Sequence, residues 1–250
     1  MSKILAIANQ KGGVGKTTTA INLAAGLAEL GQRTLLIDMD PQGNASVGSG
    51  IKLTDGEGGL EQALLGMCDL QSLIRTTNYG YQLLPSNAQL NEVEPSLISQ
   101  VNRESCLARL LMPIVEWYQY VIIDCPPSLG MLTVNSLVAA EGVIVPVQCE
   151  YYALEGLVVI SKIIRSLNVV NQRLKIAGLL RTMFDARNCL AGEVSKQLIS
   201  HFGELVYRTV IPRNVRLAEA PGSGQPALFY DRYSTGAQAY LSLAREILEK

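Results

Sequence analysis

Between Lys11 and Thr18 the chain reads KGGVGKTT, two lysines, three glycines and two adjacent threonines within eight residues. That mixture suits a polyphosphate held together with a divalent cation. Backbone N–H groups can wrap phosphate oxygens only where the main chain comes close, and residues without a Cβ permit that approach at Gly12, Gly13 and Gly15. A helix opening at Lys16 would add its unpaired N–H groups and the positive end of its dipole. Lys16 is then placed to reach β- and γ-phosphates, and the Thr17 hydroxyl to ligate Mg²⁺. The usual phosphate-loop expression, G-x-x-x-x-G-K-[ST], asks for Gly at its first position and finds Gln10 here. The strict motif therefore fails, and a second cation, Lys11, stands ahead of the glycines.

Two further stretches bring carboxylates. Thr34 to Ile37 is a short apolar run that leads into Asp38-Met39-Asp40-Pro41-Gln42-Gly43-Asn44, and Tyr120 to Ile123 is a β-rich run capped by Asp124 and followed by Cys125-Pro126-Pro127. Parallel α/β sheets place their chemistry just beyond the carboxyl ends of strands, where these acids fall. An Asp at the end of a buried strand beside a phosphate loop is a usual support for Mg²⁺, through water.

The elements that must position these groups alternate. Ile4 to Ala8 is a strand before the loop, and Thr19 to Leu30 is helical, with Ala20, Leu23, Ala24 and Leu27 on one face and Gly31 as its stop. Ala45 to Gly59 reads as loop, Leu60 to Leu65 as a short helix, Gly80 to Pro85 as a strand, and Glu104 to Val115 as a helix broken at Pro113. Further helices are expected over Met131–Ala140, Ala153–Val170 and Leu190–His201. Further strands are expected over Gly142–Val147, Ile176–Thr182 and Leu205–Ile211, with Pro212 to Arg216 as loop. The last helix carries an apolar stripe of Ala237, Tyr240, Leu241, Ala244, Ile247 and Leu248, which predicts a core-facing helix. The whole predicts an α/β fold, a twisted, mostly parallel sheet with helices on both faces, in one domain over residues 1–250.

Composition is that of a folded globular chain, without a secretory signal pattern or an apolar stretch of membrane-spanning length. Five cysteines, odd in number and without C-x-x-C pairing, predict buried free thiols in a reducing cytoplasm. The single histidine, His201, predicts a structural or surface role rather than a catalytic one. Charge is uneven. From Ser161 to Leu217 ten Lys or Arg stand against three Asp or Glu, a surplus of +7, while the remainder carries −8. One region is suited to a polyanion, or is a set of solvated basic helix faces.

Taken in order, the Lys11–Thr18 loop, the Asp38–Asn44 loop, the Val121–Pro127 strand end and Pro212-Arg213-Asn214-Val215-Arg216 resemble the ParA/Soj family of DNA-partitioning ATPases, which carry a deviant Walker A loop. The resemblance spans essentially the whole chain and implies a P-loop ATPase with ATP and Mg²⁺ as cofactors. By it, Gly12, Gly13, Val14, Gly15, Lys16, Thr17 and Thr18 would wrap the phosphates, and Lys11 would reach those of a partner subunit in a homodimer. Asp40 would orient the attacking water and Asp124 would support Mg²⁺; for Asp38, support from behind the metal or of the loop's structure is expected rather than catalysis. Pro212 and Asn214 would lie against the adenine, and Arg187, Arg213 and Arg216 would meet DNA phosphates. The implied cycle is an ATP-bound dimer that binds duplex DNA without sequence preference, with slow hydrolysis accelerated by a ParB-type centromere-binding protein. The chain would then be cytoplasmic and nucleoid-associated, without membrane attachment or operator recognition. Rival readings are a MinD-like division-site ATPase, which would need a basic amphipathic tail, a nitrogenase-iron-protein-like reductase built on Cys125, and a relative that positions another cargo.

Overall fold

The computed structural model describes residues 2–54, 56–151 and 153–250. Five-residue apolar runs form the centre of the sheet: β1 (Lys3–Ile7), β2 (Thr34–Asp38) and, after two short strands β3 (Arg75–Thr76) and β4 (Gln82–Leu84), β5 (Tyr120–Asp124). β6 (Gly142–Gln148), β7 (Lys175–Phe184) and β8 (Val206–Pro212) complete it. Among the described residues the order is β3-β4-β2-β5-β1-β6-β7-β8, parallel throughout except for the β3–β4 pair. β2 and β5 are buried along their whole length, as parallel strands covered on both faces must be.

β1 lies inside the sheet, with β5 and β2 on one side and β6, β7 and β8 on the other, so the chain changes direction across its carboxyl end. Such a switch point opens a crevice above the strands. Register sets what surrounds it: Asp124 is level with Ile7 on one neighbour and with Asp38 on the other. β6 is level with Ile7 at Ile144 and continues to Gln148, so it overhangs the loop that leaves β1.

Helix Lys16–Glu29 covers one face of the sheet and is itself covered by helix Thr235–Glu249. The two approach closely at Gly26, where a Cβ would meet Ala244 Cβ at 3.1 Å. Helices Met131–Ala139, Ala153–Leu167 and Cys189–Phe202 pack on the opposite face. The apolar stripe of the last helix is therefore used inside the fold. Leu248 leaves it for the surface, and Leu243 joins it. Among the described residues no helix is long and apolar enough to cross a membrane.

Several sequence expectations need correction. Asn44–Gly48 is a short helix within a stretch read as loop, because the Asp38 carboxylate ties down Ser46 inside it. Helix Glu104–Val115 shrinks to Cys106–Leu111, flanked by 3-10 turns. Pro212–Arg216 is not all loop: Asn214 caps a helix over Val215–Glu219, its side-chain oxygen accepting from the Arg216 N–H. Of the cysteines, Cys106, Cys125 and Cys149 are buried free thiols as expected, whereas Cys189 is exposed.

The +7 stretch is less basic in three dimensions than in sequence. Arg181 is buried, and its guanidinium donates to the Tyr207 and Arg208 carbonyls where the β7–β8 register slips. Arg173, Arg187, Arg208 and Arg216 each pair with an acid. Lys162, Arg165, Lys175, Lys196 and Arg213 are exposed without an acid partner among the described residues.

Candidate active site

The loop from Ala8 to Gly15 is gripped from β6 and β7. Asn9 donates its amide to the Pro146 carbonyl at 2.7 Å and accepts from the Lys11 N–H at 3.1 Å, while the Thr182 hydroxyl donates to the Val14 carbonyl at 2.8 Å. Gly13 and Gly15 take φ of 73° and 87°, conformations that disfavour a side chain. Gly12 is different. Its φ lies outside the left-handed region, and a Cβ there would meet no atom within 4 Å. Neither backbone strain nor packing by its own chain calls for glycine at Gly12.

Behind the loop three carboxylates converge from β2 and β5. Asp124 is wholly buried, and among the described residues neither of its oxygens has a hydrogen-bond partner of good geometry. Burial, then the neighbouring Asp38, holds its carboxyl well above the ordinary 3.8. The Thr17 hydroxyl and, less strongly, the Lys16 ammonium pull the other way. A buried carboxylate aimed at the phosphate-loop threonine without a partner is the donor a divalent cation would satisfy. Asp38 is satisfied by protein: one oxygen accepts from Ser46 N and Ser46 Oγ, both at 2.7 Å, and the other from the Asp40 N–H at 3.2 Å. Burial still lifts its carboxyl to about 6. Asp40 folds into the Asp40–Gly43 turn, where its Oδ1 accepts from the Gln42 N–H at 3.0 Å and Oδ2 has no hydrogen bond among the described residues.

The two lysines are in unlike positions. Lys16 is buried and donates to the Lys11 carbonyl at 3.3 Å. Burial lowers its pKa, opposed chiefly by Asp124. Lys11 points outward; its ammonium pairs with Glu150 at 2.6 Å, and Lys11 also lines a cavity of about 370 Å³ between the loop and helix Ala153–Leu167. Cys125 is buried, its thiol pushed up to about 12 by desolvation, which makes it a poor thiolate ligand.

A second cavity, about 260 Å³, opens where helix Lys16–Glu29 begins. Gly15, Thr18, Met183, Pro212, Asn214 and Leu217 contribute to its walls. Its lining is mostly apolar, which suits a flat heterocycle continuing from phosphates held by the loop. Met183 is held at φ 49°, an uncommon conformation for a side chain of that kind. Back to back with this cavity is an open groove of about 710 Å³ that holds Arg187 and Arg213, and Pro212 and Arg213 line both.

This geometry has relatives. A family model described as AAA domain matches residues 2–176. The sporulation initiation inhibitor protein Soj of Bacillus subtilis is 49% identical over 252 residues, covering 99% of this chain and 98% of its own. The chromosome partitioning protein ParA of Myxococcus xanthus is 48% identical, covering 100% of this chain and 89% of its own. The chain belongs to the ParA/Soj family of chromosome-partitioning ATPases. Among solved structures, a Mycobacterium smegmatis protein described as cobyrinic acid a,c-diamide synthase, bound to an ATP analogue and magnesium, superposes with a TM-score of 0.87 at 36% identity, covering 100% of this chain and 95% of its own.

Within this family frame the fold gathers Lys16, Thr17, Asp38, Asp40 and Asp124 about one loop, and Pro212 and Asn214 about the adjoining cavity. Arg187, Arg213 and Arg216 are not equivalent. Arg187 is almost fully exposed but doubly bonded to Asp185, whose carboxyl it holds down at about 2. Arg216 pairs with Glu219 and Asp231, and Arg213 has no acid partner among the described residues. Sequence reading missed Asn9, Thr182, Glu150, Ser46 and Ser86. Asn9, Ser86, Glu150 and Thr182 all lie at or just past expected strand ends, but nothing local marks which of them grips the loop or the Asp40 turn.

Proposed function

We propose that this chain is an ATP-dependent DNA-segregation ATPase, in one ATPase domain over residues 1–250, whose ATP-bound dimer binds duplex DNA without sequence preference and releases it on hydrolysis. The observation that carries this reading is the shared wall of Pro212 and Arg213 between the cavity beside the phosphate loop and the arginine-bearing groove. Filling one changes the wall of the other.

ATP would lie with its phosphates in Gly12–Thr18 and its base against Pro212 and Asn214. Lys16 would neutralise the β- and γ-oxygens from within the subunit. Thr17 directly, and Asp124 through water, would hold Mg²⁺, which supplies further neutralisation of charge on those oxygens. Lys11 would exchange Glu150 for the phosphates of a second copy, so that hydrolysis is linked to dimerisation and loss of the γ-phosphate loosens the dimer. Asp40 would orient the water. A ParB-type protein would accelerate this slow turnover, and DNA binding would place the chain on the nucleoid.

Two results are expected. Binding to a random-sequence duplex, measured without nucleotide, with ADP and with ATP over a salt series, will appear only with ATP. If about four phosphates are neutralised per dimer, log affinity will fall against log salt with a slope of about −3.6. Arg213→Ala will weaken this binding more than Arg187→Ala, because Arg187 must first give up Asp185. Hydrolysis without DNA binding in any state would overturn the partitioning reading and favour a membrane or protein cargo. Second, Gly12→Ala will leave unfolding stability within about 0.5 kcal/mol of wild type, as expected away from packing or strain. Nucleotide affinity, read by titration calorimetry, will fall by at least about tenfold, about 1.4 kcal/mol. Unchanged affinity would remove the phosphates from Gly12.

A further inference from the structure

The Asp40 turn is braced from outside the phosphate loop. Ser86, two residues beyond the end of β4 and buried, donates its hydroxyl to the Asp40 carbonyl at 2.7 Å. Its N–H donates to Ser46 Oγ at 3.1 Å, and that hydroxyl in turn donates to Asp38. Each hydrogen in this short chain is used once. The same segment closes on the turn sterically: Gly43 sits at φ 62° with its missing Cβ position 2.9 Å from the Ser86 carbonyl oxygen. The Asp40 carbonyl thus accepts twice, from Gly43 N–H within the turn and from Ser86 across it. Ser86 carries no charge, and it lines neither the cavity beside Lys11 nor the cavity beside Thr18.

We propose that Ser86 is a positioning residue for hydrolysis, which fixes the Asp40 main chain and so the direction in which the Asp40 carboxylate meets the attacking water. This rests on the reading of Asp40 given under Proposed function. The bond holds a backbone carbonyl, so its loss leaves charge and ligand contacts in place and changes only aim. A displacement of about 1 Å at a reacting group costs on the order of a hundredfold in rate.

The test is a cycle of four full-length proteins, wild type, Ser86→Ala, Asp40→Ala and the double variant, each read for kcat and KM with ATP and for melting temperature. Ser86→Ala is expected to lower kcat about tenfold to a hundredfold with KM within twofold. Adding Ser86→Ala to Asp40→Ala should lower kcat no further, because the group it aims is gone. Should Ser86→Ala fail to fold, Ser86→Cys keeps the volume with a weaker donor and is expected to give an intermediate kcat at unchanged KM. Wild-type kcat in folded Ser86→Ala, or in Ser86→Cys where that is the folded variant, overturns the proposal. So does a rise in KM that accounts for the loss, or a further fall in the double variant. If Asp40→Ala itself turns over like wild type, the reading of Asp40 fails first, and that outcome is visible in its own arm.

Discussion

Asp40→Ala is expected to bind ATP with nearly wild-type affinity and to hydrolyse it at least about a hundredfold more slowly, the usual scale for removing a group that handles the attacking nucleophile. The side chain lies behind the phosphate loop, in a turn anchored through its main chain to Ser86 and Gly43. Nothing in that anchoring touches Gly12–Thr18, so truncation leaves the cradle intact. Phosphoryl transfer to water depends on position and charge more than on a strong base, and one carboxylate beside the loop is sufficient for the task. The competing explanation is that Asp40 only shapes its turn, since Oδ1 accepts from the Gln42 N–H. Asp40→Asn separates the two. The amide oxygen can keep that hydrogen bond while the charge is lost, so Asn must be as slow as Ala if the carboxylate aims water, and near wild type if it only holds the turn. In the DNA-binding assay, both slow variants should show tighter ATP-dependent binding than wild type, because hydrolysis no longer ends the bound state.

Asp124→Asn should have the second largest effect, and in two directions. Without nucleotide, wild type keeps two partnerless carboxylate oxygens in a fully buried place. An uncharged isostere still has polar atoms to satisfy but cannot ionise, and removing that penalty should raise stability near neutral pH by about 1 kcal/mol, seen as a few degrees in melting temperature for a chain of this size. The gain has a pH signature. Because burial holds the Asp124 carboxyl well above 3.8, the folded state keeps a proton that the unfolded chain has released, and stability falls as pH rises above that ordinary value. The amide has no such dependence, so the difference between Asn and Asp should grow from pH 5 to pH 8. With ligand the order reverses: the Mg²⁺-dependent part of stabilisation by ATP, measured as the melting shift with and without the metal, should be lost in Asp124→Asn together with turnover. An Asn variant that keeps the full Mg²⁺-dependent shift would exclude Asp124 from metal support.

The sequence by itself determined the central strands, the phosphate loop and the acids at the strand ends. Each is written locally: Leu35–Ile37 and Val121–Ile123 are unbroken apolar runs, and Gly13 and Gly15 sit where the backbone turns left-handed. The surplus of basic residues was also legible there, but not its meaning. Whether an arginine is free depends on what lies opposite it in space. Arg181 spends its donors on carbonyls where the register slips, Arg187 is held by Asp185, and of Arg187, Arg213 and Arg216 only Arg213 makes no ion pair among the described residues, although Asp185 lines the same groove. The helix at Asn44–Gly48 and the bond from Ser86 to Asp40 were equally out of reach. They join residues 8 and 46 positions apart, respectively, through hydrogen bonds that neither periodicity nor propensity records. Glu246, on the last helix, turns inward and accepts from the Arg208 and Thr209 N–H groups of β8, a partnership that its place among charged neighbours in the chain does not record. The tertiary structure alone decided that one carboxylate, Asp124, is left buried without a partner. Alternation and composition report which residues are inside, whereas pairing depends on register, and register is fixed only when β1, β2 and β5 come together.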